Sequence, residues 1–205
     1  MGLRHYFSKD EDKRAKFVFN LIAPVYGKID KAVSEEYRKV SAIINNEIPL
    51  KNKSILDVGT GTGSWLAALS LYKPALSYGI DFSKKMLEQG KMNHPQLEFQ
   101  LIDGENLKDF SDESFDIVTA SYVLHGMKQD KRIQLLKEMK RVSKKHVIIH
   151  DFYGKTHFII KLLEFFERSD YINFKKNFKK ELESVFEDTQ IIELESGNAI
   201  YIGTT

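Results

Sequence analysis

The sequence predicts an α/β domain whose doubly wound sheet has seven strands, five parallel and then an antiparallel pair. Three observations predict it. After Lys51, short apolar runs alternate with segments whose apolar residues recur at helical spacing. Those runs, such as KSILDVG and HVIIHDF, are mostly apolar, which suits strands covered by helices on both faces. The chain then ends on TQIIELESGNAIYIGTT, two strands about a Ser-Gly-Asn turn, which reads as a hairpin.

The elements follow in order. Residues 1–50 read as a helical cap: DEDKRAKFVFNLIAPVYGKIDKAV has helical texture broken near Pro24, and SEEYRKVSAIINNEI resumes it. Residues 51–151 read as the alternating core. KSILDVG is a buried-type strand closed by glycine, and SWLAALSLY is a helix with Ser64 as its N-cap. ALSYGID is the second strand, SKKMLEQGKMN a helix capped by Ser83, and LEFQLID the third strand. FDIVTASYVL, DKRIQLLKEMKRVS and HVIIHDF supply the fourth strand, an amphipathic helix and the fifth strand. Residues 152–187 interrupt the rhythm with two helical stretches, THFIIKLLEFFERSD and FKKNFKKELESVF, and residues 188–205 form the hairpin. No repeat, low-complexity tract or linker divides the chain, so a single domain of 205 residues is expected.

Composition narrows the function classes. Apolar residues make up 42% and charged residues 29%, ordinary values for a globular protein. A net charge of +2 gives no reason to expect nucleic-acid or anionic-membrane binding. Without cysteine the chain has no disulfide, no thiolate nucleophile and no Cys-ligated zinc. No apolar run approaches the roughly 20 residues of a membrane span, and the start has no apolar signal centre, so a cytoplasmic protein is expected.

The stretch ILDVGTGTG, residues 55–63, selects among ligand loops. A phosphate loop needs Gly-x4-Gly-Lys-Ser/Thr, and no lysine follows Gly63. The dinucleotide fingerprint G-x-G-x-x-G finds Ser64 or Leu66 where its third glycine belongs. What stands here is Asp57-Val58-Gly59-Thr60-Gly61-Thr62-Gly63, and it resembles the first motif of the class I S-adenosylmethionine (SAM)-dependent methyltransferases. That resemblance, over residues 54–151, implies the Rossmann-like methyltransferase fold with strand order 3-2-1-4-5-7-6. It also implies SAM as cofactor, with S-adenosylhomocysteine as product.

Glycines suit the task because they reach positive φ and let a ligand lie on bare backbone. The resemblance implies that Gly59, Thr60, Gly61 and Gly63 cradle the cofactor while Asp57 braces their loop. It implies that Asp81, ending the second strand in GIDFS, grips the ribose hydroxyls, with Phe82 and Met86 against adenine. It implies that Asp103 and Gly104, in LIDGENL, meet the adenine amino group and ring, and that Ser121 at the end of the fourth strand joins the cofactor contacts. Singly, an acid ending a strand is as often a turn or cap residue, and Phe82 and Met86 equally suit plain core packing. The Pro-Gly-Gly turn common before the family's fifth strand is missing from Arg141-Val142-Ser143-Lys144-Lys145.

The acceptor is harder to read, because the donor is already activated and alignment carries much of the catalysis. No Asn/Asp-Pro-Pro-aromatic motif follows the fourth strand, where Ser121-Tyr122-Val123-Leu124 stands, and cytosine-C5 chemistry lacks its thiolate. Lys175, Lys176, Lys179 and Lys180 read as a solvated helix face opposite Phe174, Phe178, Leu182 and Phe186. FNLIAPVYGKID resembles the N-terminal stretch of small-molecule and quinone-biosynthesis methyltransferases, which puts Tyr26 near the cofactor, although Gly27 replaces the usual Asp. The rest of the quinone signature is absent, so the resemblance implies a small-molecule enzyme of that broad type.

Residues 152–187 read as a lid over the carboxyl ends of the strands. Its aromatic residues suit core packing or a dimer interface on one account, and an apolar acceptor pocket on the other. His125 and Asp151 are the candidate catalytic residues; each also suits a structural or capping role. Alternation sends His150 and Asp151 to opposite faces. His150, Asp151 and His157 match no standard metal spacing, and no metal is expected. The expected partner is a small, apolar methyl acceptor, with no nucleic acid, and the chain is expected to be a monomer or homodimer. The alternatives are a nucleic-acid or protein methyltransferase, marked by a basic cleft, or a SAM-binding protein without transfer.

Overall fold

The computed structural model describes residues 33–102, 107–154 and 170–205. The break at Pro24, the end of LEFQLID and most of the first helical stretch of the lid lie outside the described residues. The chain falls into two compact units, Met1–Asn52 with Asp57–Gly104 and Lys53–Leu56 with Glu105–Thr205. Seven strands form one sheet in the order β3-β2-β1-β4-β5-β7-β6, which is the order the resemblance implied.

In the first unit, residues 33–47 are helical (α1). Strand β1, Ser54–Val58, enters it at Asp57 and is followed by α2, Ser64–Ser70. Then come β2, Leu76–Asp81, α3, Lys84–Asn93, and β3, Glu98–Leu101. β2 and β3 are parallel, with Asp81 opposite Leu101. The core of this unit is made by the apolar runs themselves: Val40, Ile44, Trp65, Leu66, Leu69, Ile80 and Leu87 are buried. Tyr37 of α1 meets Trp65 of α2 edge to face at 5.3 Å, so the aromatic pair joins the two helices.

The caps differ from expectation at one helix. Ser83 caps α3 as predicted, accepting from the Met86 N–H. The cap of α2 is Gly63 rather than Ser64, and it contributes no side-chain hydrogen bond. Gly63 turns the chain in the left-handed conformation, φ 82°, which makes Ser64 the first helical residue. A Cβ at Gly63 would also come within 2.7 Å of the Phe99 ring.

The second unit holds β4, Phe115–Ser121, a 3-10 turn at Leu124–Gly126, α4, Gln129–Val142, and β5, Ser143–Phe152. It closes with α5, Tyr171–Val185, β6, Asp188–Glu193, and β7, Asn198–Thr204. β4 and β5 are parallel, and β7 is antiparallel to both β5 and β6. β4 stops at Ser121, three residues short of the predicted end. Tyr122 takes φ 55°, which no strand accommodates. β5 starts at Ser143, earlier than the predicted His146.

Helix α5 buries Phe174, Phe178 and Leu182, with Phe186 following, while Lys176, Lys179 and Lys180 are exposed. Lys175 is half-buried, its Nζ 5.0 Å from the Tyr171 ring centre. Arg132 of α4 is fully buried, and its guanidinium forks onto Glu181 at 2.7 and 2.9 Å. It also donates to Asp170 at 3.0 Å and to the Met127 carbonyl. A buried cation held by two carboxylates ties α5 to α4 with fixed geometry. No helix among the described residues is long and apolar enough to cross a membrane.

Candidate active site

The first group of candidate residues lies in the glycine loop between β1 and α2. Gly59, Gly61 and Gly63 all have positive φ, at 71°, 55° and 82°. Side chains avoid that region, which explains why glycine recurs at alternate positions. The loop is pinned to β2 at two points. The Thr60 N–H donates to the Ile80 carbonyl at 2.9 Å, and the Gly61 N–H donates to Asp81 Oδ2 at 2.9 Å. The Thr60 side chain lies over Gly79, where a Cβ would stand 2.8 Å from its methyl and hydroxyl. At Gly61 the equivalent Cβ would meet nothing within 4 Å, so the loop's backbone faces open space there.

Asp81 is nearly buried, and its second oxygen accepts from the Ser83 N–H at 2.7 Å. Burial raises its carboxyl above the usual range, opposed by the N–H groups of Ser83, Gly61 and Phe82. Asp57 stands in contrast. It is 1% exposed, and neither carboxyl oxygen has a hydrogen-bond partner. Burial pushes this carboxyl up to about 8; the nearby Thr60 hydroxyl opposes the rise in part, and the neighbouring Asp81 adds to it. Thr60 Oγ1 itself has no hydrogen bond of normal geometry. Asp81 holds the loop through Gly61, whereas Asp57 makes no hydrogen bond of normal geometry to it.

Phe82 is half-buried after β2, and Met86 is buried in the first turn of α3. Tyr26, Asp103, Gly104 and His157 lie outside the described residues.

The second group stands at the ends of β4 and β5. Asp151 is fully buried and collects three donors: His125 Nδ1–H at 2.8 Å, the His125 backbone N–H at 3.2 Å and the Phe152 N–H at 2.8 Å. The structure thus brings the two catalytic candidates, 26 residues apart, into one pair. With Nδ1 carrying the proton, Nε2 is the ring nitrogen that bears a lone pair. His150 is also buried, and its Nδ1 is 3.0 Å from Ser121 Oγ at the end of β4.

Aromatic rings surround the pair. Phe152 meets the His125 ring edge to face at 4.8 Å, and Phe174 and Tyr122 each lie 6.4 Å from it. Tyr171 packs on Phe152 at 5.0 Å. Tyr122 is the residue sequence reasoning missed; its ring meets His150 and Phe152 while its backbone holds a conformation costly for a bulky residue. Nothing in the sequence marks a tyrosine for positive φ. The predicted contribution of the lid is described only for α5, which supplies Tyr171 and Phe174.

An unclaimed buried carboxyl, a carboxylate with spare lone pairs and a bare glycine backbone fit a cofactor that carries cationic groups and vicinal hydroxyls, as SAM does. Comparison with known proteins leads to the same place. Residues 55–146 match the family model described as a methyltransferase domain. The demethylmenaquinone methyltransferase of Staphylococcus epidermidis is 35% identical over 133 residues, 62% of this chain and 54% of that protein. That of Staphylococcus aureus is 34% identical over 143 residues, 67% of this chain and 58% of that protein. The chain thus spans little more than half the length of these relatives.

Among solved structures, magnesium protoporphyrin IX methyltransferase from Synechocystis, with S-adenosylhomocysteine bound, superposes with TM-score 0.63 at 17% identity, covering 83% of this chain and 82% of that one. A Thermotoga maritima protein described as a SAM-dependent methyltransferase, possible histamine N-methyltransferase, does so with TM-score 0.66 at 18% identity, covering 92% and 98%. In its glycine motif, its strand order and these matches, the chain is similar to the class I SAM-dependent methyltransferases, and the matched methyltransferase domain spans residues 55–146.

Proposed function

We propose that this protein transfers a methyl group from SAM to a small molecule with an apolar body and a protic nucleophile. One observation carries the reading: a loop of three left-handed glycines associated with two buried carboxylates, one bonded to the loop and one with no partner. The acceptor side draws support from the His125–Asp151 pair and its aromatic surround. The relatives named for a demethylmenaquinone and a protoporphyrin, both with large apolar bodies, are consistent with it.

When bound, SAM supplies a methyl group already activated on a sulfonium. The chain's residues do the rest. Gly59, Thr60, Gly61 and Gly63 offer backbone to the ligand, and Asp81 offers its remaining lone pairs to hydroxyl donors. Phe82, Met86 and Ser121 complete the proposed cofactor contacts, together with Tyr26, Asp103 and Gly104. His125 Nε2 takes the proton that the nucleophile gives up, and Asp151 holds the ring in the tautomer that makes this possible. The rings of Phe152 and Tyr122 exclude water and orient the acceptor's apolar body.

Two measurements test the reading. Calorimetric titration should give saturable binding of SAM and S-adenosylhomocysteine and none of NAD; binding of NAD alone would overturn it. A metabolite pool incubated with the protein and methyl-labelled SAM should yield a labelled small apolar product. Label recovered only in RNA or protein would overturn the acceptor class.

A further inference from the structure

We propose that Asp57 makes cofactor binding proton-coupled: the empty site holds a proton on this carboxyl, and the cofactor's cationic end displaces it to solvent. The inference rests on the SAM reading above and concerns a step that reading does not contain. Its ground is geometric. Asp57 is 1% exposed, and both its oxygens lack a hydrogen-bond donor. A bare carboxylate cannot persist in such a place; the group takes a proton instead.

The groups facing it offer no relief. From β2 comes Asp81, a second acid, which favours the neutral form of its neighbour. From the loop comes Thr60, whose hydroxyl opposes the rise in part. Helix α2 has no ionisable side chain between Ser64 and Ser70. His94, at the C-cap of α3, lies beside Gly63. On α3 and β3, Lys84, Lys85, Glu88, Lys91 and Glu98 are exposed. On α1, Glu35, Arg38 and Lys39 are exposed, and Glu36 is half-buried. The described groups that act on Asp57 are thus Thr60 and Asp81, and neither is a cation.

An arriving ammonium or sulfonium supplies a positive charge. In the balanced event, the Asp57 O–H bond breaks, its electron pair stays on oxygen as the carboxylate that faces the cation, and one proton passes to buffer. Net charge in the site is thereby conserved: one positive group enters as one proton leaves. No covalent bond to the cofactor forms.

The experiment is calorimetric titration of S-adenosylhomocysteine into the full chain at pH 6.5, in buffers of different ionisation enthalpy. At that pH an α-amine, with a pKa near about 8, stays protonated in the free ligand. The observed enthalpy should vary with buffer ionisation enthalpy with a slope corresponding to about one proton released. Affinity should rise nearly tenfold per pH unit between pH 5.5 and 7. Binding with zero slope overturns the proton coupling and leaves the SAM reading standing; no binding of S-adenosylhomocysteine or SAM overturns the SAM reading itself.

Asp57→Asn, which is isosteric with the protonated acid, should fold, bind more weakly and show a slope near zero. A slope near one in that variant places the proton elsewhere and overturns the assignment to Asp57. Should the variant bind too weakly to titrate, the slope and pH dependence of the native chain decide alone.

Discussion

Asp57 and Asp151 are both buried carboxyls next to strand ends, and the structure treats them in opposite ways. Asp151 gathers three N–H donors and keeps no oxygen idle. Asp57 gathers none, and burial lifts it to about 8. A saturated acid is a fixture: it sets the position of something else, here the His125 ring. An unsatisfied acid is a vacancy in the bonding pattern, which folding alone gives no reason to retain. The contrast teaches that within one fold the groups that hold the scaffold and the groups that await a ligand are separable by their hydrogen-bond partners, even when residue type and burial agree.

The contrast can be broken at His125 first, where the largest effect is expected. His125→Ala removes the proposed base and should lower kcat by roughly 10²–10⁴-fold. Cofactor affinity by calorimetry should stay within about twofold. A parallel loss of cofactor affinity would show that His125 does not serve the acceptor alone.

Next in size is the stability of Asp57→Asn. The folded pKa of Asp57 is raised above its unfolded value of 3.8, so the native state holds a proton that the unfolded state releases. Native stability therefore falls as pH rises from about 4 to about 8 and is level above that. Asparagine removes the penalty. The variant should be more stable than the native chain by up to roughly 4 kcal/mol at pH 7, with the difference vanishing near pH 4. Urea unfolding at both pH values measures this, and a destabilised variant at pH 7 would give Asp57 the fixture's role after all.

The smallest change sharpens the same distinction in the backbone. Gly61→Ala places a methyl in open space but at φ 55°. It should cost about 1–2 kcal/mol of stability while weakening SAM by tenfold or more in calorimetry. An unaltered affinity would show that the ligand does not lie on this loop.

Much of this was legible in advance because it is written locally. Alternation of apolar runs and helical spacing specified seven strands, and the spacing of Gly59, Gly61 and Gly63 corresponds to three left-handed residues. Ser83 as a cap is readable because its partner is three residues away. Contacts that depend on distant residues were not readable. Arg132 sits in a charged helix, and Glu181 in KKELES 49 residues later; either alone reads as surface, and only the fold brings them together in the interior. His125 and Asp151 were singled out separately, and their pairing needed β4 and β5 side by side. The assignment of a cap to Ser64 failed because Gly63, one residue earlier, turns the chain through its backbone without any side chain to betray it.

Thr60 and Gly79 carry a last consequence. The side chain of one occupies the volume that a Cβ of the other would need, at 2.8 Å, and the backbone N–H of Thr60 is fastened to Ile80 beside it. The two positions therefore share a single allotment of space. A methyl gained at 79 must be surrendered at 60, or the loop lifts from its strand and Gly61 moves away from Asp81. In design terms they form one composite letter of the sequence, to be exchanged together or left alone.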